Sequence, residues 1–173
     1  IPNPLTAEKW MTVEREVMHR NSLADGMLYI QVSRGVTERA FNYPENLKPT
    51  VIVVPQFKNL LDNSIIERGA RIITLPDQRW SRCDIKSTSL LAQVLAKHAV
   101  SLAGVDEGWM TRDGLVTEGA SSTAFIVTQD GEIVTRSLSP AVLPGITREA
   151  IIAISRLLGL QLVERAFSPE EVL

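Results

Sequence analysis

The Asp113-Gly114 pair constrains the fold of this chain most tightly. Asp and Gly both tolerate positive φ, and apolar runs flank the pair, so residues 108–127 are expected to fold back as a hairpin, with a further strand after Glu118. Asp25-Gly26 and Asp130-Gly131 mark two more turns. Residues 27–34 read as a strand with Leu28, Ile30 and Val32 on one face, and 51–54 as a short buried strand. Residues 70–75, 80–85 and 161–166 read as extended. Thr6 caps a helix running to about 21 in which Trp10, Val13, Val17 and Met18 recur at helical spacing. Ser87 or Ser89 caps a second, with Leu90, Leu91, Val94, Leu95 and Leu102 on its buried side and Gly104 at its end. A third spans 148–158 and stops at Gly159. Trp10 and the helix leucines are expected in the core.

Strand and helix signals are mixed without regular alternation, and no G-x-G-x-x-G follows a strand. A doubly wound dinucleotide fold is therefore not expected, and a mixed α/β (α+β) chain is. The polar stretch 59–64 marks a boundary between two domains, 1–58 and 62–173. Ser168-Pro169-Glu170-Glu171 is a capping box with proline at the first helical position, yet the chain stops at Leu173. It also begins at Ile1 without methionine, so a fragment lacking segments on both sides is expected.

Apolar residues make up 45% of the 173, enough for a packed core, and the net charge is −2. Lys and Arg are scattered, which argues against nucleic acid. No apolar run reaches transmembrane length and no signal peptide is visible, so no membrane association is expected. Cys83 is the one cysteine; it rules out an internal disulfide framework and fits a cytoplasmic protein. With His19 and His98 the only histidines, no metal site is expected.

Of the five lysines, Lys86 stands at an expected strand–helix junction, where a side chain projects from a rigid support. A lysine amine is a nucleophile for carbonyl carbon once desolvated or placed beside a cation. Glu118 lies in Thr117-Glu118-Gly119-Ala120-Ser121-Ser122-Thr123, where a carboxylate is followed by a glycine that permits close approach and by hydroxyl donors. Gly145-Ile146-Thr147 precedes a helix, whose free N–H groups and positive end attract anions. Arg39 offers a fork suited to a carboxylate. Each alone reads as well as an ordinary surface or capping residue. Together they form an amine nucleophile, a carboxylate, an anion site and a carboxylate receptor.

Arg82-Cys83-Asp84-Ile85-Lys86-Ser87, followed by Leu90-Leu91, resembles the class IV (fold type IV) pyridoxal-phosphate aminotransferases, and within them the D-amino-acid (D-alanine) branch. Tyr29 to Gly35, Pro44-Glu45-Asn46, Val116-Thr117-Glu118-Gly119 and Gly145-Ile146-Thr147-Arg148 fall in family order. The resemblance implies a two-domain fold with a strand-rich pseudo-barrel as its second domain. It implies that Lys86 forms a Schiff base with pyridoxal 5'-phosphate and shuttles the proton. Glu118 would pair with the pyridine nitrogen and Leu143 would pack beside the ring. Gly145, the amides near Ile146 and the Thr147 hydroxyl would hold the phosphate, and Ser121 and Ser122 would lie near the cofactor. Arg39 would take the substrate carboxylate across a homodimer interface. The implied activity is transamination between a D-amino acid and a 2-oxo acid such as 2-oxoglutarate or pyruvate. The family's arginine-x-histidine-x-phenylalanine motif reads Arg39-Ala40-Phe41-Asn42-Tyr43 here, and Phe41 offers no hydrogen bond. Aminodeoxychorismate lyase and branched-chain or amine transaminase therefore stay open, as does a catalytically silent binding or scaffold protein.

Overall fold

A computed structural model describes residues 1–59 and 64–172, apart from the Ser64 side chain. Residues 60–63, within the expected boundary stretch, lie outside the described residues. The chain divides into two compact units, Ile1–Glu67 and Arg68–Leu173.

In the first unit, helix α1 (Ala7–Arg20) starts where Thr6 accepts from the Lys9 N–H at 3.4 Å. Strands β1 (Gly26–Ser33) and β2 (Thr50–Phe57) form an antiparallel pair. β2 is longer than the expected 51–54 and is not buried, since Ile52 and Val54 are exposed. A two-stranded sheet with one helix covers at most one face of each strand, which gives β2 its alternation. Trp10 is half-buried rather than core, and its indole N–H donates to Asn3 Oδ1 at 2.8 Å. Among the described residues of this unit, Leu23 alone is buried. The short helix α2 (Ser64–Arg68) follows.

The second unit contains two three-stranded sheets. In the first, β3 (Ile72–Pro76) crosses over through α3 (Leu91–Leu102) to pair in parallel with β4 (Glu107–Arg112). β4 then pairs antiparallel with β5 (Leu115–Gly119). Asp113 and Gly114 take φ of 53° and 76° between them, the doubly left-handed turn that the Asp-Gly pair announces. In the second sheet β6 (Phe125–Val127) and β7 (Ile133–Thr135) form a hairpin. β7 crosses over through α4 (Ile146–Leu157) to a parallel partner, β8 (Leu162–Glu164). Pro169–Val172 is a 3-10 turn in which the Glu171 carboxylate accepts from the Ser168 N–H at 2.9 Å, one half of the capping box.

Val116, Ala124, Ile126, Val134 and Phe167 form the main core, with Trp109 and Val163 packed on it. Trp109 and Phe167 meet edge to face, centroids 5.7 Å apart. A smaller core joins Ala96, Met110 and Ala120, with Leu75 against it.

Helix α3 differs from expectation. Leu90, Leu91, Val94, Leu95 and Leu102 are exposed, and the residues it buries are Ala96 and Val100. The helix meets β4 through its short side chains, which allow close approach, and turns its long ones away. Its N-cap is Leu90, not Ser87 or Ser89, with no side-chain cap.

Asp106 ties β3 to β4. It receives Arg68 on both oxygens, at 2.7 and 3.0 Å, and the Arg71 N–H at 2.8 Å. The hydrogen bond from Arg68, then that from the Arg71 amide, hold its carboxyl far below the ordinary value. Its folded-state pKa lies below its unfolded one, so its contribution is present above pH about 4 and is lost as pH falls further. Thermal midpoints should thus fall on acidification below about pH 4, and Asp106→Asn should flatten that fall. An unchanged slope in the variant excludes this role.

Candidate active site

A cavity of about 470 Å³ opens in the second unit, lined by Lys86, Glu118, Ser121, Ser122, Leu143 and Gly145 among others. Six candidates from three separate stretches of sequence thus share one cavity. Ile146 and Thr147 do not line it; both are exposed in the first turn of α4, whose N-cap is Gly145. Arg39 belongs to the first unit, exposed in the irregular segment between β1 and β2.

Lys86 is carried differently from expectation. Residues 80–85 are not a strand but a turn. The Cys83 N–H donates to the Pro140 carbonyl at 2.7 Å, and the Ile85 N–H to the Arg82 carbonyl at 3.2 Å. The turn is thereby pinned to the segment leading into α4, so Lys86 and Gly145 are positioned through one connection. Cys83 is buried, its Sγ 3.1 Å from the Trp80 carbonyl, and burial pushes its thiol up.

Glu118 reaches the cavity through a β-bulge. Met110 pairs with Glu118 and Thr111 with Val116, so Thr117 is the extra residue of β5. In a regular strand neighbours face opposite ways. Here Thr117 and Glu118 are both buried and both in reach of Arg79. Glu118 is 7% exposed; Arg79 Nη1 donates to its Oε1, and the Leu143 N–H donates to its Oε2 at 3.2 Å. Burial pushes the Glu118 carboxyl up and Arg79 pulls it back; the balance stays above the ordinary value. At the next residue, Gly119, a Cβ would lie 2.1 Å from Ser122 Oγ and 3.0 Å from the Ser122 carbonyl oxygen, so Ser122 would have to give way.

Ser121 and Ser122 direct their hydroxyls to Glu107 Oε2, at 3.1 and 3.0 Å, and not to Glu118. Lys97 Nζ closes that cluster 3.2 Å from Glu107 Oε1. Gln93 lines the same cavity, and its Oε1 is buried without a hydrogen-bond partner.

Arg79 escaped the sequence analysis. Its guanidinium also donates to Asp77, Nε to Oδ1 at 2.9 Å and Nη2 to Oδ2 at 2.8 Å, and to the Ala141 carbonyl at 3.0 Å. Burial alone would lower its pKa; the anions beside it raise it instead. The one trace in the sequence is Asp77-Gln78-Arg79, an ion pair in an i, i+2 spacing that identifies no partner in β5.

Pyridoxal phosphate combines an aldehyde, a basic pyridine nitrogen and a phosphate. The residues fit it. Lys86 supplies an amine, Glu118 a buried carboxylate, and α4 an N-terminus whose first turn has no side-chain cap. The unpartnered Gln93 Oε1 offers a further acceptor.

The fold is that of the fold type IV pyridoxal-phosphate enzymes. The branched-chain amino acid aminotransferase of Escherichia coli superposes with a TM-score of 0.84 at 24% identity, over 98% of this chain and 58% of that one. The branched-chain aminotransferase of Thermobaculum terrenum in its PLP (holo) form superposes at 0.74 and 20% identity, over 99% and 57%. The chain belongs to the class IV aminotransferase family, whose model matches residues 1–173. The D-alanine aminotransferase of Bacillus licheniformis is 36% identical over 159 residues, which is 92% of this chain and 56% of that enzyme. The chain thus spans little more than half the length of that relative. Among the described residues, no helix is long and apolar enough to cross a membrane.

Proposed function

We propose that this chain is the catalytic part of a cytoplasmic, homodimeric transaminase. It moves an amino group from a D-amino acid, D-alanine in type, to a 2-oxo acid such as 2-oxoglutarate. The observation that carries this reading is the single cavity shared by Lys86, Glu118, Leu143 and Gly145. The identity to D-alanine aminotransferase supports the substrate class.

Bound pyridoxal phosphate supplies an electron sink for the pair left when the substrate Cα–H bond breaks. Lys86 would hold the cofactor through Nζ, and its amine is placed to take up and give back the proton at the substrate Cα. The Glu118 carboxylate would accept from the ring nitrogen and so favour its protonated, electron-accepting form. Gly145, with the amides of Ile146 and Thr147 in the first turn of α4, would hold the phosphate, and Leu143 would pack against the ring. Arg39 receives the substrate carboxylate from the neighbouring subunit.

The test supplies pyridoxal phosphate and 2-oxoglutarate with one amino donor at a time and measures glutamate and the new oxo acid. Pyruvate and glutamate from D-alanine, well above the yield from L-leucine or L-valine, support the reading. Phe41 in place of the family histidine favours one second reading, a branched-chain transaminase. Glutamate from L-leucine alone would select it. Pyruvate from aminodeoxychorismate without any oxo acid would make the enzyme a lyase, and no turnover with any donor sinks the proposal.

A further inference from the structure

We infer that Arg79, anchored by Asp77, holds Glu118 ionised and fixes the orientation of its carboxylate. This rests on reading the cavity as the cofactor site, and it adds two positioning residues to that site.

The Arg79 side chain is 4% exposed and that of Asp77 is fully enclosed, so neither gains from water. Arg79 sits between two carboxylates. One edge of its fork is taken by Asp77 through Nε and Nη2, and its remaining nitrogen, Nη1, meets Glu118 Oε1. Asp77 is itself fixed by the Arg79 N–H at 3.1 Å and by the Thr117 hydroxyl at 2.9 Å. Arg112 Nη2 lies 3.3 Å from Asp77 Oδ2, so two anions face two cations. Cys83 is a further titratable group beside this set, and Lys86 lines the same cavity.

The consequence for Glu118 is geometric as well as electrostatic. A carboxyl with 7% exposure and no cation would take up a proton, since desolvation disfavours the charged form. A protonated Glu118 donates a hydrogen bond where the ring nitrogen needs an acceptor. Arg79 on Oε1 and the Leu143 N–H on Oε2 fix the plane of the carboxylate, and each oxygen keeps a further lone pair. A planar, doubly anchored guanidinium fixes that orientation better than a single ammonium can.

The test reads Glu118 directly in cofactor-free protein. Glutamate labelled with ¹³C at the side-chain carboxyl is titrated by NMR, and the Glu118 signal is assigned by its loss in Glu118→Gln. The parent should show Glu118 ionised at pH ~7. Arg79→Met should raise its midpoint by at least about one pH unit, and Arg79→Lys, which restores the charge, should recover most of that shift. A parent Glu118 protonated at pH ~7 overturns the inference. So does a folded Arg79→Met with an unmoved midpoint, or an Arg79→Lys that matches Arg79→Met. Should Arg79→Met not fold, the parent and Arg79→Lys decide: a Lys variant protonated at pH ~7 ends the claim that the cation holds the charge. Because no cofactor is present, failure of the transaminase reading shows in the amino-transfer assay and not here.

Discussion

Lys86→Ala is expected to yield a protein that borohydride no longer joins to pyridoxal phosphate. In the parent, reduction should add the cofactor's mass to the peptide carrying Lys86 and abolish the near-visible absorption band. In the variant both signatures should be missing, because none of the other lysines is offered at that point of the cavity. Lys97, the one other lysine in the cavity wall, is held by Glu107 at 3.2 Å. Positioned proton transfer contributes roughly 10²- to 10⁴-fold, so residual amino transfer should fall by at least that much. Circular dichroism should not change, since Lys86 is exposed. A borohydride-stable adduct in Lys86→Ala, whatever its activity, would remove the basis of the functional proposal.

The largest effect on stability is expected at Phe167. It is 0% exposed, packs edge to face on Trp109, and lies in the core built by Val116, Ile126 and Val134. Its carbonyl accepts the Val116 N–H at 2.9 Å, so it also fastens the strand that carries Glu118. Phe167→Ala should cost about 3–5 kcal/mol, the transfer loss plus a cavity the neighbours only partly fill. Single domains have about 5–15 kcal/mol in total, so the loss is large. The urea midpoint should drop with little change in slope. Val127→Ala, at a site 70% exposed, is the control and should move stability by no more than about 0.5 kcal/mol. Equal effects at the two positions would mean that the core is not where the structure puts it.

How far these features were legible in the sequence varied with how local they are. The Asp113-Gly114 hairpin, the Thr6 cap and the Gly159 stop are each set by a few adjacent residues, and each appears where expected. The leucines of α3 misled because periodicity identifies an apolar face but not whether anything covers it. The contact with β4 runs instead through Ala96 and Val100, whose small side chains give a weak periodic signal. The turn at 80–85 was read as extended because the Cys83 bond to Pro140 is invisible in a local window. Lys86, Glu118 and Gly145 were found individually, and their shared cavity was not derivable without the fold. Arg79 was missed because its significance depends on a bulge at Thr117, a register slip that no composition announces.

The poverty of burial in the first unit has its own consequence. Leu23 is the one buried residue described there, and β1–β2 is a two-stranded sheet, an assembly that is marginal on its own. The second unit gathers nearly all the dry apolar packing. Opening of the first unit therefore costs far less than global unfolding. In deuterated solvent, the amides that pair β1 with β2 should trade their hydrogens well before those of β4 and β5. The substrate arginine proposed at Arg39 would thus ride on the chain's most easily melted cooperative unit, while Glu118 sits in its slowest.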